Sequence, residues 1–490
     1  MKMIKKGHIL CWGLFLMAIL SFTSCKKIEV DENARLNFSS TQISFDTVFT
    51  TISSVTKRFT VINNNNFPVS VNVRLAGGKS SYFSINVDGE TGPEVNNVEI
   101  AANDSMFVHV KVNINPGNQN TPFIVTDSVV FITGKTIQDV DLLAFGQDAN
   151  FIVADKWLGS SLKYKVVAAE HETVTWTNEK PYVIYGWAVV DSLGKLVIEP
   201  GTKIYFHSGS GLWVYRDGNI NVNGTADEPV VFKGDRTQAW YDTDYSQWDR
   251  ILINEGQTEN TINYAIITNS YIGIQFVPWV EPTYNNNKIT NCVIQNTAGS
   301  GILARASKME MANCQISNNG VCGLQLETGL YDLKHTTIAN YFSQSVRKNP
   351  AVFLANSYIE QGSGTTFIGD IYTRFTNCII YGSLEDELTM KKFSDESLMF
   401  DHRFENCIIK GKSDSQYFID CKRNTDPLFT DKSKQDFSLQ SSSPAIDAGK
   451  AGLGIMYDIA GNQRDAAPDI GAYEYVPAQK KVKQFNYFRF

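Results

Sequence analysis

The chain has 490 residues, 43% of them hydrophobic and 19% charged, a balance that excludes a disordered chain. A net charge of −7 argues against a general nucleic-acid binder, and apolar runs of spanning length are missing beyond the N-terminus, which excludes a multi-span membrane protein. Aromatics reach 12% and favour strands over helices.

Lys2, Lys5 and Lys6 form a positive start, and Ile9 to Phe22 is an uncharged, mostly apolar run. The run is short for a transmembrane helix and reads as a secretory signal. Its end, Leu20-Ser21-Phe22-Thr23-Ser24-Cys25, resembles the lipobox of bacterial lipoproteins. That resemblance implies a signal peptide over 1–24, lipidation of Cys25, a linker over 25–35 and a membrane partner held through the lipid anchor. The expected location is the cell envelope, as an outer-membrane lipoprotein, surface-exposed or periplasm-facing.

Residues 36–149 show short alternating runs such as Phe59-Thr60-Val61-Ile62 and Val69-Ser70-Val71-Asn72-Val73, with Asn63 to Asn66 between them as a hairpin loop. Several such runs predict an immunoglobulin-like β-sandwich. The stretch Val98-Glu99-Ile100 to Val108, turning at Asn103-Asp104-Ser105, resembles bacterial immunoglobulin-like domains of the abnormal-spindle/hydin type. A spacer role is the simpler expectation.

From 160 to 440 the sequence repeats. Ala265-Ile266-Ile267, Cys292-Val293-Ile294, Cys314-Gln315-Ile316, Thr336-Thr337-Ile338, Ser357-Tyr358-Ile359, Cys378-Ile379-Ile380 and Cys407-Ile408-Ile409 align with first positions mostly 21 to 29 apart. That period is one coil of a solenoid. The third column is always Ile and the first always small, so both should point inward, with the middle column, Val293 included, facing out. Asn precedes most of these segments, and Asn or Gly often follows two residues after the Ile, as expected of turns. Gly273-Ile274, Gly301-Ile302 and Gly323-Leu324 mark a second strand. Cys292, Cys314, Cys378 and Cys407 fall in the small column and are expected to be packed free thiols.

Such coils resemble right-handed parallel β-helix proteins, a group that includes pectate lyases and many surface proteins. The fold class is thus all-β: an N-terminal immunoglobulin-like β-sandwich followed by a right-handed parallel β-helix. Ser443-Pro444-Ala445-Ile446-Asp447-Ala448-Gly449, then Asp458, Gly461, Arg464 and Asp469-Ile470-Gly471-Ala472-Tyr473-Glu474-Tyr475, resembles the closing segment of many extracellular β-helix proteins. Residues 441–475 should therefore cap the helix, with Asp447, Asp458, Arg464 and Asp469 holding the cap; a basic, aromatic tail fills 476–490. No cofactor is predicted, although this acidic cluster could instead take Ca²⁺.

The densest candidate site is Trp240, Tyr241, Asp242, Asp244, Tyr245, Asp249 and Arg250, with Trp279 approaching from an insertion one coil on. Flat rings suit sugar faces and carboxylates suit hydroxyls or a cation. Trp248 precedes a strand and is expected to be buried. The leading reading is a non-enzymatic lipoprotein displaying its β-helix for glycan or surface binding. The alternatives are a polysaccharide lyase or glycoside hydrolase on an extracellular polysaccharide, and a purely structural or adhesive protein.

Overall fold

A computed structural model describes residues 33–49, 56–113, 123–236, 241–278, 286–360, 364–412 and 416–477. Cys25, Trp240, Trp279 and nearly all of the C-terminal tail lie outside these residues. The chain divides into units at 1–148 and 149–490.

Among the described residues the first unit holds two five-stranded sheets over one apolar core. Alternation places every second residue inside: Val69, Val71, Val73 and Leu75 are buried along Val69–Leu75. The expected hairpin at Asn63 to Asn66 is instead a crossover, because Lys57–Asn63 and Val69–Leu75 belong to different sheets. Asn63 anchors that crossing: its buried side-chain amide donates to the carbonyls of Phe67, Ile100 and Ala101.

The second unit is a stack of coils with three walls. Among the described residues the first wall is an eleven-stranded parallel sheet from Asn150–Val153 to Lys422–Arg423. It therefore opens ten residues before the expected start at 160. The second and third walls share a sheet of eighteen strands among the described residues. They fuse because Ile302–Ala312 and Leu324–Lys334 each run through both walls, turning the corner at Ala306 and Thr328, whose φ angles are positive.

Ile267, Ile294, Ile316, Ile338, Ile380 and Ile409 form one fully buried column in direct register. Cys292, Cys314, Cys378 and Cys407 are buried free thiols on the same face. The fifth segment, Ser357-Tyr358-Ile359, fails: Ile359 is 62% exposed. Ser357–Ile359 pairs antiparallel with Thr366–Ile368 in a projecting hairpin, and Ile338 pairs directly with Ile380. A single 42-residue coil thus imitated two of 21. The turn backbone separates true members from the imitation. Asn291, Asn313, Asn377 and Asn406 are left-handed, and Asn356 is not among the positive-φ residues.

The C-terminal segment does not sit over the end of the stack. It runs back along the outside of the first wall, where Phe429, Phe437, Ile459, Ile470, Ala472 and Tyr473 cover Ile266, Val293, Ile379 and Ile408. Val293 was expected on an open face; its β-strand orientation is outward, and the returning segment buries it.

Of the four expected cap residues, Arg464 makes the longest reach. Its Nη1 meets Glu474 at 3.0 Å, and its Nη2 meets Asn313 Oδ1 and the Gly471 carbonyl, each at 3.0 Å. Asp469 accepts the amides of Asp447 and Tyr475, and Asp458 accepts those of Asn462 and Glu474. Each of those carboxylates closes a turn within the segment. Among the described residues no group of three His, Cys, Asp or Glu side chains could hold a metal ion.

His335 replaces Asn in the turn column, and the strap seals it in. Its Nε2 faces Asn377 Nδ2 at 3.0 Å, an amide oriented by two backbone bonds to Lys450. Burial, reinforced by Arg464, pushes its pKa down to about 3. The folded state therefore rejects a proton that the unfolded chain accepts near 6.5, and stability falls as pH drops from about 6.5 toward 3. Asp469 works the opposite way, since burial pushes its carboxyl up to about 6 and its contribution is lost as pH rises toward that value. His335→Asn keeps the turn and removes the first group. At pH about 4.5 it should recover about 2 kcal/mol relative to wild type, read as a smaller loss of melting temperature between neutral and acid pH. An unchanged acid loss would show that His335 is not the sensitive group.

Candidate functional site

Three walls offer three outer faces, and their residues differ. The first is covered by the returning segment. The third carries a solvated column in register: Thr261, Lys288, Glu310, Asp332, Arg374 and Arg403. The second carries Val189, Trp213, Leu252, Gln275, Leu303, Gln325 and Phe353 in successive coils. Val189, Trp213 and Leu303 are already buried by their neighbours, and Leu252, Gln275, Gln325 and Phe353 are half-buried. This half-buried mix of apolar and amide side chains is a poor solvent face and a good floor for a ligand of mixed polarity.

Polar groups line this floor. Arg250 bonds Asp249 at 2.5 Å and also Gln275, and its guanidinium lies 5.5 Å from the ring of Tyr271, which is 48% exposed. Two coils on, Arg305 bonds Glu327 at 2.6 Å, Gln325 bonds Glu327 at 2.8 Å, and Ser300 bonds Gln325 at 3.1 Å. Trp213 donates from Nε1 to Asn254 at 2.7 Å and meets Tyr215 edge-on. These residues sit on rigid neighbouring strands about 4.8 Å apart, so their spacing is fixed by the ladder.

With Trp240 and Trp279 outside the described residues, the remaining members of the expected site fall into two groups. Trp248 is the wedge: it is buried, stacked on Phe206 at 4.2 Å, and donates to the Thr268 carbonyl. Before it, the loop folds onto the first wall. Asp242 pairs with Lys233, and the side chains of Asn269, Asn296 and Gln247 hold the carbonyls of Tyr241, Asp242 and Asp244. Arg236 lies over Tyr241, and Tyr245 packs on Phe342. After it, Asp249 and Arg250 emerge on the second wall. Tyr241, Asp242, Asp244 and Tyr245 thus serve the loop, while Asp249 and Arg250 join the floor.

Sequence reading missed Gln275, Leu303 and Gln325, although each follows a recognised pair: Gly273-Ile274, Gly301-Ile302 and Gly323-Leu324. The glycines mark a corner with no room for a Cβ, which would lie 2.4 Å from the Gly301 carbonyl at Gly273. The next residue points in and the one after it out.

Residues 168–272 match the pectate-lyase-like β-helix domain family. That stretch holds the opening coils and the first half of the floor, Val189 to Leu252. Among solved structures, the catalytic unit of a thermostable GH87 α-1,3-glucanase from Streptomyces thermodiastaticus strain HF3-3 is 10% identical at a TM-score of 0.24, covering 72% of this chain and 79% of that one. A family 123 glycoside hydrolase from Clostridium perfringens is 10% identical at a TM-score of 0.18, and the match spans 23% of this chain and only 25% of that enzyme. The YadV chaperone is 12% identical at 0.17, covering 23% and 51%. No curated protein matches the sequence.

Proposed function

We propose that this chain is a cell-envelope lipoprotein whose β-helix binds glycan along the outer face of its second wall. The observation that carries this reading is the outward column from Leu252 to Phe353, in which half-buried apolar and amide side chains stand where the third wall has charges. Sugars present apolar ring faces and a rim of hydroxyls, and such a floor offers partners for both. Asp249 and Glu327 are each engaged by an arginine, an arrangement suited to accepting hydroxyl hydrogen bonds and poor for delivering a proton. Binding is therefore favoured over hydrolysis.

A glycan array on the wild-type chain and on Gln275→Ala/Gln325→Ala tests the site. Affinity read on the array should fall about thirtyfold in the double variant, for two hydrogen bonds of about 1 kcal/mol each lost to truncation, while the chain still unfolds cooperatively. Undiminished signals would place binding elsewhere.

The anchor is tested separately. Cys25→Ser should leave an unlipidated chain that no longer sediments with membranes, because acyl chains supply the attachment. A variant that still sediments after a high-salt wash would contradict the lipobox.

A further inference from the structure

The hairpin that imitated a coil stands beside the proposed site. It leaves the second wall after Val352–Ala355, and returns to the third wall at Ile371–Thr376. Its Tyr358 ring stacks on Phe367 at 5.1 Å and 13°. Tyr358 also covers the Arg305 guanidinium at 5.1 Å. Glu327, Arg305, Tyr358 and Phe367 are thus joined contact by contact from the floor to the hairpin, and Phe367 is 41% exposed. Across the floor, Tyr271 stands on the opposite edge. The two aromatic edges belong to a projecting hairpin and a corner turn, and the coil of Arg305 lies one step, about 4.8 Å, beyond that of Tyr271.

The charge of this cleft is balanced. Arg250 is matched by Asp249 and Arg305 by Glu327, the other polar groups between them are amides, the exposed Lys391 lies one coil beyond Phe353, and the chain as a whole is acidic at −7. A polyanion would meet no surplus of positive charge here and would be repelled at distance. Amides, paired charges and flat rings are instead the partners of hydroxyls and apolar ring faces.

Resting on the glycan-binding reading, we infer that the ligand is an uncharged polysaccharide, with Phe367 stacking on one of its rings and Tyr271 bordering it from the other edge. Stacking on an exposed aromatic contributes on the order of 1 kcal/mol, which is about a fivefold change in Kd.

The test is isothermal titration of the full chain with four probes: a soluble β-1,3-glucan, a neutral galactan, polygalacturonate and dextran sulfate. Each is measured at low salt and at roughly tenfold higher salt, where exposed charge–charge attraction is screened. At least one neutral glycan should bind with a Kd that moves less than about twofold across that range. Phe367→Ala should weaken it about fivefold and Phe367→Trp should restore it, with melting temperatures equal to wild type. Binding of polygalacturonate or dextran sulfate alone, weakened by salt, would overturn the uncharged-ligand inference and leave the glycan reading standing. Neutral binding indifferent to Phe367→Ala would remove the hairpin from the site. Failure of all four probes and of a broad glycan array would overturn the glycan reading, and this inference with it.

Discussion

Ile316→Asp is expected to unfold the solenoid or to cost more than about 4 kcal/mol. Ile316 is fully buried between Ile294 and Ile338, and its Cγ2 lies where a Cβ on Gly301 would be, 2.6 Å away. A carboxylate there would have no partner and no water. Val293→Asp should also cost several kcal/mol, although its side chain points outward, because the returning C-terminal segment buries it. Thr261→Asp, on the solvated third wall, is the control and should stay within about 0.5 kcal/mol. Chemical denaturation of the three variants gives the ranking. If Val293→Asp proves as mild as Thr261→Asp, the segment does not cover the first wall.

Arg464→Ala should cost about 3–5 kcal/mol, the range for removing one member of a buried ion pair. It strands Glu474 and leaves Asn313 Oδ1 and the Gly471 carbonyl without their donor. The damage should be local at first: residues 450–468 should gain proteolytic cleavage and hydrogen exchange before the coils do. Arg464→Lys should rescue little, because one ammonium cannot replace a planar fork that serves partners on several sides. Full rescue by lysine would mean that charge alone holds the segment.

The Ile column, the small column and the asparagine turns were legible because each obeys a local rule that repeats. Side chains two apart share a face, and Asn tolerates the left-handed backbone. The hairpin at 357–368 broke the reading, since Asn356 and Ile359 satisfy the pattern in letters while their backbone does something else. The covering of the first wall was illegible for a different reason. The bond from Arg464 to Asn313 joins residues 151 apart, and no periodicity encodes a partner at that distance. Asp249 and Arg250 were found as part of a dense cluster, but Trp248 between them and Tyr245 turns the chain through the core and separates the cluster into two faces. Gln275 and Gln325 escaped because single amides in an apolar column have no distinctive composition; only the contrast with the third wall makes them visible.

A stack of coils ordinarily gains its stability from nearest neighbours and can assemble from one end. The returning segment changes that rule. It touches Asn296, Asn313, Thr337, Asn377 and Asn406, residues of five different coils, so these coils are tied by one late-arriving strap. Ile266, Val293, Ile379 and Ile408 stay bare until the last part of the chain has been made and delivered. Until then the nascent molecule carries an apolar stripe along its side, open to holdase chaperones and to other copies of itself. Completion of the chain is what closes the stripe, so a molecule cut short before Phe429 would remain marked as unfinished along its first wall.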